Sequence, residues 1–345
     1  MNKQTGLALT RLQNWQMPIQ INPSLVPIWR SPTDLALGVS RDAQVVQNVS
    51  NEQERLIQLL FHGIPEEQFE SIAGGVGLEE SQTRELVERL KPSLLVSSKR
   101  TSFADELDLR FAEIMRMGFE TNLTSAQVLA LRRKALGGFQ NLGRTELMLI
   151  SALIEAGFAN FQTDDYSLVE RNDLGELGFH EQFLGFTKIN AARTQLGMAA
   201  SKFTLTQPEL RRPKETFAVL SATHRINPKN YRAIKVPHIL IEYGIEELRI
   251  SPLIVHGRRP CLGCRDLWDA ENDEHWATTT IQLVARGDQL DDGIGLLMAS
   301  AIATKSIVQF VNNPELDIPG FRVDLANRQI REWSWQRHDT CQCLL

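Results

Sequence analysis

The sequence predicts an α/β protein with two folded parts, and three observations along its 345 residues support this prediction. Residues 24–98 show two short strands, three helices and a further strand. Residues 133–165 show a short strand-like lead-in at Arg133–Leu136, a glycine-rich turn, a helix and a second strand that ends in an acid. Two close pairs of cysteines lie in the second part. The predicted organisation is an irregular arm at 1–23, a compact module at 24–98, a connector at 99–135 and a larger domain at 136–345.

The compact module begins with a hairpin. Asp34–Val39 and Ala43–Val49 have strand-like composition, and Ser40-Arg41-Asp42 joins them. The chain before them, up to residue 30, carries three prolines and predicts irregular structure. Three helices are expected to follow. The first starts at Ser50, the second spans Pro65–Gly75 and the third spans Glu79–Leu90. Leu94–Val96 is the last predicted strand of the module. A further helix is expected in the connector, at Phe103–Met117.

This order of elements is winged-helix-like, and such modules often bind DNA. Here the third helix carries Glu79, Glu80, Glu85 and Glu88. Acidic side chains on that helix would repel phosphate, so a peptide is the more fitting partner. The net charge of −5 agrees, because it argues against binding to nucleic acid.

Composition also bears on location. By the sequence alone, no apolar run reaches the roughly 20 residues that a membrane span needs. Residues 1–20 lack the apolar stretch of a signal peptide. Cysteines that lie in close pairs fit a compartment in which thiols stay reduced. The sequence therefore predicts a cytoplasmic protein without a membrane partner.

A glycine-rich turn opens the larger domain. Gly138-Phe139-Gln140-Asn141-Leu142-Gly143 keeps the outer glycines of the phosphate-binding pattern, but Gln140 stands where the middle glycine belongs. A side chain there is expected to occupy the space that a phosphate needs. Asp165 follows Gly143 by 22 residues, as expected of a ribose ligand, although a turn or capping role explains it equally well. The pattern therefore supports the fold more than a working phosphate site.

Further elements complete the larger domain. Helices are expected at Arg144–Ala156 and Thr187–Gln195. The segment Leu290–Gln309 is long and mostly apolar, and Asp291 and Asp292 near its start are expected to interact favourably with the helix dipole. The expected strands are Ala159–Thr163, Thr216–Ala222, Ile234–Tyr243, Leu248–Val255, Phe321–Asp324 and Gln329–Trp335.

The four cysteines are the most informative feature of the domain. Cys261 and Cys264 form a CxxC pair, and Cys341 and Cys343 form a second pair near the chain end. Two close pairs of thiolates suit a tetrahedral zinc ion, and four sulfur ligands imply a structural site. Reduced structural thiols and a redox CxxC are the alternatives, although a redox pair needs no second pair. His338 is expected near the sulfurs, as a replacement ligand or as a donor to one of them.

From Leu136 to Cys343 the chain resembles the ubiquitin-activating-enzyme-like superfamily of the ThiF/MoeB type. The matching positions are Gly138, Gly143, Asp165, Asp173-Leu174, Gly185-Phe186-Thr187-Lys188 and the four cysteines. The resemblance is stronger to a subgroup common in actinobacteria, the ocin-ThiF-like proteins that bind the leader peptides of thiazole/oxazole-modified microcins (TOMMs). It rests on Gly257–Leu267, Trp276, Gln282-Leu283 and Trp335–Cys343, and the N-terminal module is similar to that subgroup's peptide-recognition element.

The resemblance implies a nucleotide site at Gly138, Gly143, Asp165 and Lys188, but the site departs from the adenylating pattern. The missing groups are an arginine after Leu174, an acid at the end of strand Thr216–Ala222, an acid at Ser167 and a catalytic cysteine. Lys188 is expected to contact phosphate or, more simply, to be a solvated helix lysine. With these departures the resemblance implies that the activating-enzyme fold is kept and the adenylation site is largely lost, so tight binding of ATP and magnesium is not expected.

The leading hypothesis is a non-adenylating, zinc-stabilised scaffold that binds a precursor leader and presents it to a YcaO-type modifying enzyme. The leader is expected to add beside Leu94–Val96 and to pack on Leu86 and Leu90. One alternative is a working adenylyltransferase acting on a peptide or small-protein C-terminus. The other is a structural or regulatory homodimer, since the resemblance implies two-fold pairing.

Overall fold

A computed structural model describes residues 18–39, 43–95, 116, 123–199, 202–208, 214–232, 234–327 and 329–343. The chain divides into two compact units, with the boundary between Ala130 and Leu131. Each unit is built around its own hydrophobic core.

The N-terminal unit contains a small antiparallel sheet and three helices. Its elements are β1 (Pro27–Trp29), β2 (Leu35–Leu37), β3 (Gln44–Val46), α1 (Asn51–His62), α2 (Glu66–Gly75) and α3 (Glu80–Leu90), and the strand order is β1-β2-β3. The predicted hairpin is confirmed as β2 and β3. The prediction of irregular chain up to residue 30 is wrong at β1, which pairs with β2. Propensity does not reveal a three-residue strand of this kind, because its partner strand defines it.

The core of this unit contains side chains that the sequence had assigned to a peptide surface. Leu86 and Leu90 are 0% exposed and Leu94 is 8% exposed, and all three pack in the core of the unit. They are therefore unavailable as surface contacts, and that assignment is corrected. Helical spacing identifies a buried face but does not say whether protein or ligand covers it. Leu94 pairs with Ile21 in an isolated bridge, and the fourth assigned residue, Val96, lies outside the described residues.

The connector is described only in part. Of the helix expected at Phe103–Met117, only Arg116 lies among the described residues, where it is helical. A helix that the sequence analysis missed, α4 (Ser125–Lys134), crosses the boundary between the units. Arg132, near its end, is fully buried and donates to the Ala156 carbonyl over 2.7 Å.

The C-terminal unit is built on an eight-stranded mixed sheet. Its strands are β4 (Leu136–Phe139), β5 (Asn160–Thr163), β6 (Thr204–Thr206), β7 (Phe217–Thr223), β8 (His238–Tyr243), β9 (Glu247–Ile250), β10 (Gly320–Asp324) and β11 (Gln329–Trp333), in the order β11-β10-β9-β8-β7-β4-β5-β6. The five strands from β8 to β6 are parallel, and the other three are antiparallel. The expected strands exist with shifted ends, and β6 was not predicted.

Helices cover this sheet and complete the unit. They are α5 (Arg144–Glu155), α6 (Lys188–Ala199), α7 (Pro228–Arg232), α8 (Leu262–Asn272), α9 (Trp276–Val284) and α10 (Gly293–Asn312). Helix α5 packs on α10, and the core between these helices and the sheet includes Phe139, Phe161 and Phe217. Asp292 caps α10 by accepting from the Ile294 amide over 2.9 Å, so its expected role at the helix start is confirmed.

Helix α10 has the length and apolar composition to cross a membrane, contrary to the expectation from the sequence. Within its most apolar window, 56% of the residues are buried inside the protein. The central helix of a packed core meets the same criteria, because both environments select apolar side chains. Its residues Leu296, Ala299, Ala303 and Ile307 are completely buried in the main core.

Candidate functional site

A cavity of about 490 Å³ opens where the carboxyl ends of β4, β5 and β7 meet the start of α5. Ligands of open α/β sheets bind at this position, outside the strand ends where the strand order reverses. Its lining includes Asn141, Gly143, Arg144, Glu146, Asp165, Ser167, Asp173, Lys188, Ser221, Thr223, Tyr243, Asp288 and Asp291. The cavity thus brings together the residues Gly143, Asp165 and Lys188 that the sequence had assigned to nucleotide binding.

Asp165 makes hydrogen bonds within the turn that it follows. One carboxylate oxygen accepts from the Leu142 amide over 2.8 Å, and the other accepts from the Ser167 amide over 2.8 Å and from its hydroxyl over 2.6 Å. Burial raises the pKa of this carboxyl, but the hydrogen bonds from Ser167 and Leu142 outweigh burial and the net pKa is lowered. Asp165 is therefore an ionised side chain that already stabilises the glycine-rich turn.

Lys188 is neither solvated nor unpaired. Its ammonium lies 2.9 Å from an Asp173 carboxylate oxygen, and the two side chains are only 14% and 13% exposed. The expectation of a solvated helix lysine is wrong, because Lys188 is the first residue of α6 and points into the cavity wall. The Asp173 carboxylate therefore neutralises the charge of this lysine.

Gln140 does not obstruct the cavity as the sequence had suggested. Its side chain lines a separate cavity, together with Gly138 and Gln162. Side chains of a strand alternate between faces, and Gln140 continues the β4 alternation onto the face that Gly138 occupies. The substitution of the middle glycine therefore leaves the cavity at α5 open. Gly138 itself faces the separate cavity and not the one at α5.

Two residues of the cavity were missed in the sequence. Arg144, the first residue of α5, donates to the Asp291 carbonyl over 3.0 Å. Glu146 is 2% exposed, accepts from the Gly143 amide over 2.9 Å and contacts the Ser221 hydroxyl. Burial raises the pKa of Glu146, which favours its neutral form. The only signal for Glu146 was its place three residues after Gly143, where helix-capping side chains stand.

The charges around the cavity do not favour an anionic ligand. Its lining holds two cations, Arg144 and Lys188, and five carboxyl groups, Glu146, Asp165, Asp173, Asp288 and Asp291. The end of β7, where the adenylating pattern of the sequence analysis required an acid, has Thr223 in the lining. The next residue, His224, lies 2.7 Å from Asp288 through its Nε2 atom. A loop after α9 thus supplies an acid that pairs with histidine near the end of β7.

The four cysteines meet in a second site. Cys261 Sγ lies 3.9 Å from Cys264 Sγ and 3.6 Å from Cys341 Sγ, and Cys264 Sγ lies 3.6 Å from Cys343 Sγ. All four sulfurs lie within 4.8 Å of one another and could hold a metal ion. Burial raises the pKa of the Cys261 and Cys341 thiols, so a cation is needed to keep them as thiolates.

Side chains around the cysteines attach the chain end to the domain. The Trp335 indole donates to the Cys261 carbonyl over 2.9 Å, and the Trp268 indole donates to the Gln336 carbonyl over 3.0 Å. The main-chain amide of His338 bonds to the Cys264 sulfur. Its imidazole instead lies 2.9 Å from Glu271 and packs on Trp268, so the side chain of His338 is not a ligand in this arrangement.

A buried ionic network fixes α8, which carries the first cysteine pair. Arg265 is 3% exposed and lies 2.9 Å from both Glu242 of β8 and Asp266. The Tyr231 hydroxyl also contacts Asp266. Each buried charge has an opposite partner, as burial of ions requires. The network holds the CxxC helix against the sheet.

Comparisons with known proteins identify the class of fold. No known protein-family model matches the sequence, and no curated protein matches it. Among solved structures, the chain shares the fold of MccB, a ThiF/MoeB-like enzyme of microcin C7 biosynthesis. The activating-enzyme-like expectation is therefore supported at the level of the fold.

The similar solved structures include MccB alone and MccB in complex with MccA or with ATP. E. coli MccB with MccA is 17% identical, with a TM-score of 0.67, and the match covers 95% of this chain and 99% of that chain. E. coli MccB with ATP is 16% identical over the same shares, also with a TM-score of 0.67. PaaA is 14% identical, with a TM-score of 0.56, over 76% of this chain and 92% of that chain. At these identities the likeness concerns the fold alone.

Proposed function

We propose that this protein binds the leader of a ribosomally made precursor peptide and presents the peptide to a separate modifying enzyme, without adenylating it. The modifying enzyme would be of the YcaO type, and both partners would act in the cytoplasm. The N-terminal unit would be a winged-helix-like recognition element of the TOMM type. A zinc ion on the four cysteines would stabilise the C-terminal unit.

One observation carries the non-adenylating part of this proposal. The groups that would hold a nucleotide are already committed to partners within the chain, Lys188 to Asp173 and Asp165 to Leu142 and Ser167. ATP would have to break a largely buried ion pair and enter a cavity with more carboxyl groups than cations. Stabilising phosphate charge with protein groups needs an excess of fixed positive charge, and this lining has fewer cations than carboxyl groups.

The leader would bind at the outer edge of β3. In the described part of the chain this strand is an edge of the three-stranded sheet, and an added strand would pair with the main-chain groups on its outer side. Helix α3 lies beside that edge. The Arg89 guanidinium contacts the Gln47 carbonyl, and the Gln44 side chain contacts the Arg89 carbonyl. The Gln44 side chain also contacts the Ser93 hydroxyl just after the helix. This site replaces the one first expected beside Leu94, whose main chain already pairs with Ile21. Structures of MccB with MccA add the analogy of a peptide bound to the same fold.

Zinc is proposed because the sulfur geometry suits it. A tetrahedral ion with zinc–sulfur bonds of about 2.3 Å separates its sulfurs by about 3.8 Å. Three of the sulfur pairs lie 3.6 to 3.9 Å apart. Cys261, Cys264, Cys341 and Cys343 would be the ligands, and the ion would supply positive charge that keeps them ionised and cross-links the chain end to α8.

A second candidate function is an active adenylyltransferase. It is favoured by one specific observation, that Arg144, Lys188 and Asp165 line a single cavity at the start of α5. MccB, with the same fold, has been crystallised with ATP. The two functions make opposite predictions for nucleotide binding.

Two measurements on the full-length protein separate these functions. A phage-displayed library of random peptides is selected on the immobilised protein, and the selected peptides are titrated back; binding that is lost on changing β3 supports the scaffold. Calorimetry with ATP and magnesium, followed by ATP–pyrophosphate exchange with the selected peptide, tests adenylation. Micromolar ATP affinity that disappears in Lys188→Ala, together with exchange, would replace the scaffold with the enzyme.

A further inference from the structure

The outermost strand of the large sheet, β11, is a free edge in the described part of the chain. It pairs with β10 on one side, and its residues from Gln329 to Glu332 are exposed. The outer side of an edge strand carries main-chain N–H and C=O groups with which a further strand can pair. Neither the cavity at the start of α5 nor the cysteine cluster includes a residue of β11. The proposed function therefore assigns no role to this edge.

Three arginines lie directly opposite one another across the last three strands of the sheet. Arg249 of β9 is opposite Arg322 of β10, and Arg322 is opposite Arg331 of β11. Directly opposite residues share a face of the sheet, and like charges in such positions destabilise the pairing. Glu242 of β8 stands opposite Arg249 at the inner end of the row. The row thus begins with an acid and ends at the sheet edge with an arginine.

Within the described residues, carboxylates pair only with the inner arginine of this row. The Arg249 guanidinium lies 3.5 and 3.8 Å from two carboxylates. Arg322 is exposed, and its guanidinium lies 4.6 Å from the centre of the Trp333 ring. Arg331 is exposed, and its guanidinium contacts the side-chain oxygen of Gln329. Both outer guanidinium groups can therefore accept a carboxylate partner.

The other face of the sheet brings an apolar row to the same edge. Leu248, Val323 and Ile330 lie directly opposite one another on β9, β10 and β11. The first two are 0% exposed, whereas Ile330 is 53% exposed. Successive residues of a strand point to opposite faces, so Ile330 and Arg331 are neighbours at the edge with opposite directions. One added strand could extend the apolar row with one side chain and meet Arg331 with the next.

We propose that β11 is a docking edge for an extended, acidic segment of a partner protein. The segment would pair antiparallel with β11, as β10 does on the other side. It would place an acidic residue opposite Arg331, an apolar residue opposite Ile330 and a lysine opposite Glu332. In this mode of recognition main-chain hydrogen bonds supply affinity and alternate side chains supply specificity. The arginine row favours an acidic partner, because a cation opposite Arg331 would be repelled.

This docking edge is independent of the proposed leader binding, which uses β3 in the other unit. Two fluorescently labelled peptides, TVKEVT and its charge-reversed counterpart TVKKVT, are titrated against the full-length protein and followed by anisotropy. In antiparallel pairing the glutamate of TVKEVT lies opposite Arg331. TVKEVT should bind with a dissociation constant of about 1 mM or tighter, and more weakly as salt is added. TVKKVT should bind about fivefold more weakly or less tightly still. Hydrogen exchange should show protection of β11 amides when TVKEVT is added.

Arg331→Glu is the decisive variant, because it should reverse the order of affinity of the two peptides. Lys229→Glu, at an exposed position of α7, makes the same charge change elsewhere on the unit and should leave both affinities unchanged. Melting temperatures show whether each variant is folded. No saturable binding of TVKEVT to the wild-type protein, or an unchanged order of affinity in folded Arg331→Glu, would overturn the proposal.

The exchange measurement distinguishes the other possible occupants. Protection of β3 in place of β11 would assign the peptide to the leader site and overturn the docking edge. Protection of β11 that rises with protein concentration in the absence of peptide would assign this edge to a second copy of the chain, which would also overturn the proposal.

Discussion

The ammonium of Lys188 lies 2.9 Å from the carboxylate of Asp173, and this pair closes one wall of the cavity at the start of α5. In the activating-enzyme pattern the lysine faces phosphate. Here Asp173 neutralises the charge of Lys188, so the lysine stabilises the fold and is not available to bind a ligand.

Replacing Lys188 with alanine should lower the free energy of unfolding by about 2 kcal/mol, because Asp173 is left largely buried without its partner. The double variant Lys188→Ala/Asp173→Ala should cost less than the sum of the two single changes. Urea denaturation of the four proteins gives the coupling energy. A coupling indistinguishable from zero would show that the contact contributes nothing in solution.

Glu146 should make stability depend on pH in a defined direction. Its pKa is raised by burial, so the native state favours the protonated form. The stabilisation is complete below the unfolded pKa of about 4.3 and is lost as the pH rises through the higher folded pKa. Glu146→Gln keeps both hydrogen-bonding positions without a charge. Its stability relative to wild type should therefore increase as the pH rises above about 4.3, which denaturation at a series of pH values measures. A constant difference across that range would contradict the assigned shift.

Freshly purified, reduced protein should contain one zinc ion per chain by metal analysis. Cys261→Ser or Cys343→Ser should lose the metal and lower the melting temperature strongly, since structural zinc contributes on the order of 10 kcal/mol of binding free energy. His338→Ala is the matched control, because its imidazole faces Glu271 and Trp268 and should not be needed for the metal. Full metal content in both cysteine variants would exclude the four-thiolate site.

Leu86→Ala should destabilise the N-terminal unit by about 3 kcal/mol, because it removes a completely buried side chain and leaves a cavity. The neighbouring exposed residue gives the control: Glu85→Ala should change stability by less than about 0.5 kcal/mol. Native-state hydrogen exchange of α1 and α3 amides reports on this unit separately. Unchanged protection in Leu86→Ala would place that side chain outside the core.

Arg89→Ala should strengthen peptide binding about two- to tenfold if the leader pairs with β3, because the Arg89 guanidinium occupies the Gln47 carbonyl beside that edge. Arg84→Ala is the matched control, since Arg84 lies on the same helix and pairs with Glu80 on that helix. The measurement is the affinity of display-selected peptides for full-length wild-type protein, Arg89→Ala and Arg84→Ala. Equal effects of the two changes on peptide affinity would show that Arg89 is not part of the peptide site. If none of the proteins bound any peptide, the proposed leader-binding function would be wrong.

The sequence by itself determined the local elements and the composition of the metal cluster. Apolar periodicity and capping residues located α1, α3 and α5, since these signals act within a few residues of one another. The paired spacing of Cys261, Cys264, Cys341 and Cys343 was enough to predict that they meet, because few other arrangements use two close thiol pairs.

Only the tertiary structure decided what the side chains of these elements contact. Helical spacing placed Leu86 and Leu90 on an apolar face, but the core of the unit, and not a peptide, covers that face. Gln140 departs from the glycine pattern, yet the direction of β4 turns its side chain to the opposite cavity. Lys188 pairs with Asp173, which lies 15 positions earlier in the chain. Such contacts depend on how distant segments pack together, and local sequence patterns carry no information about that packing.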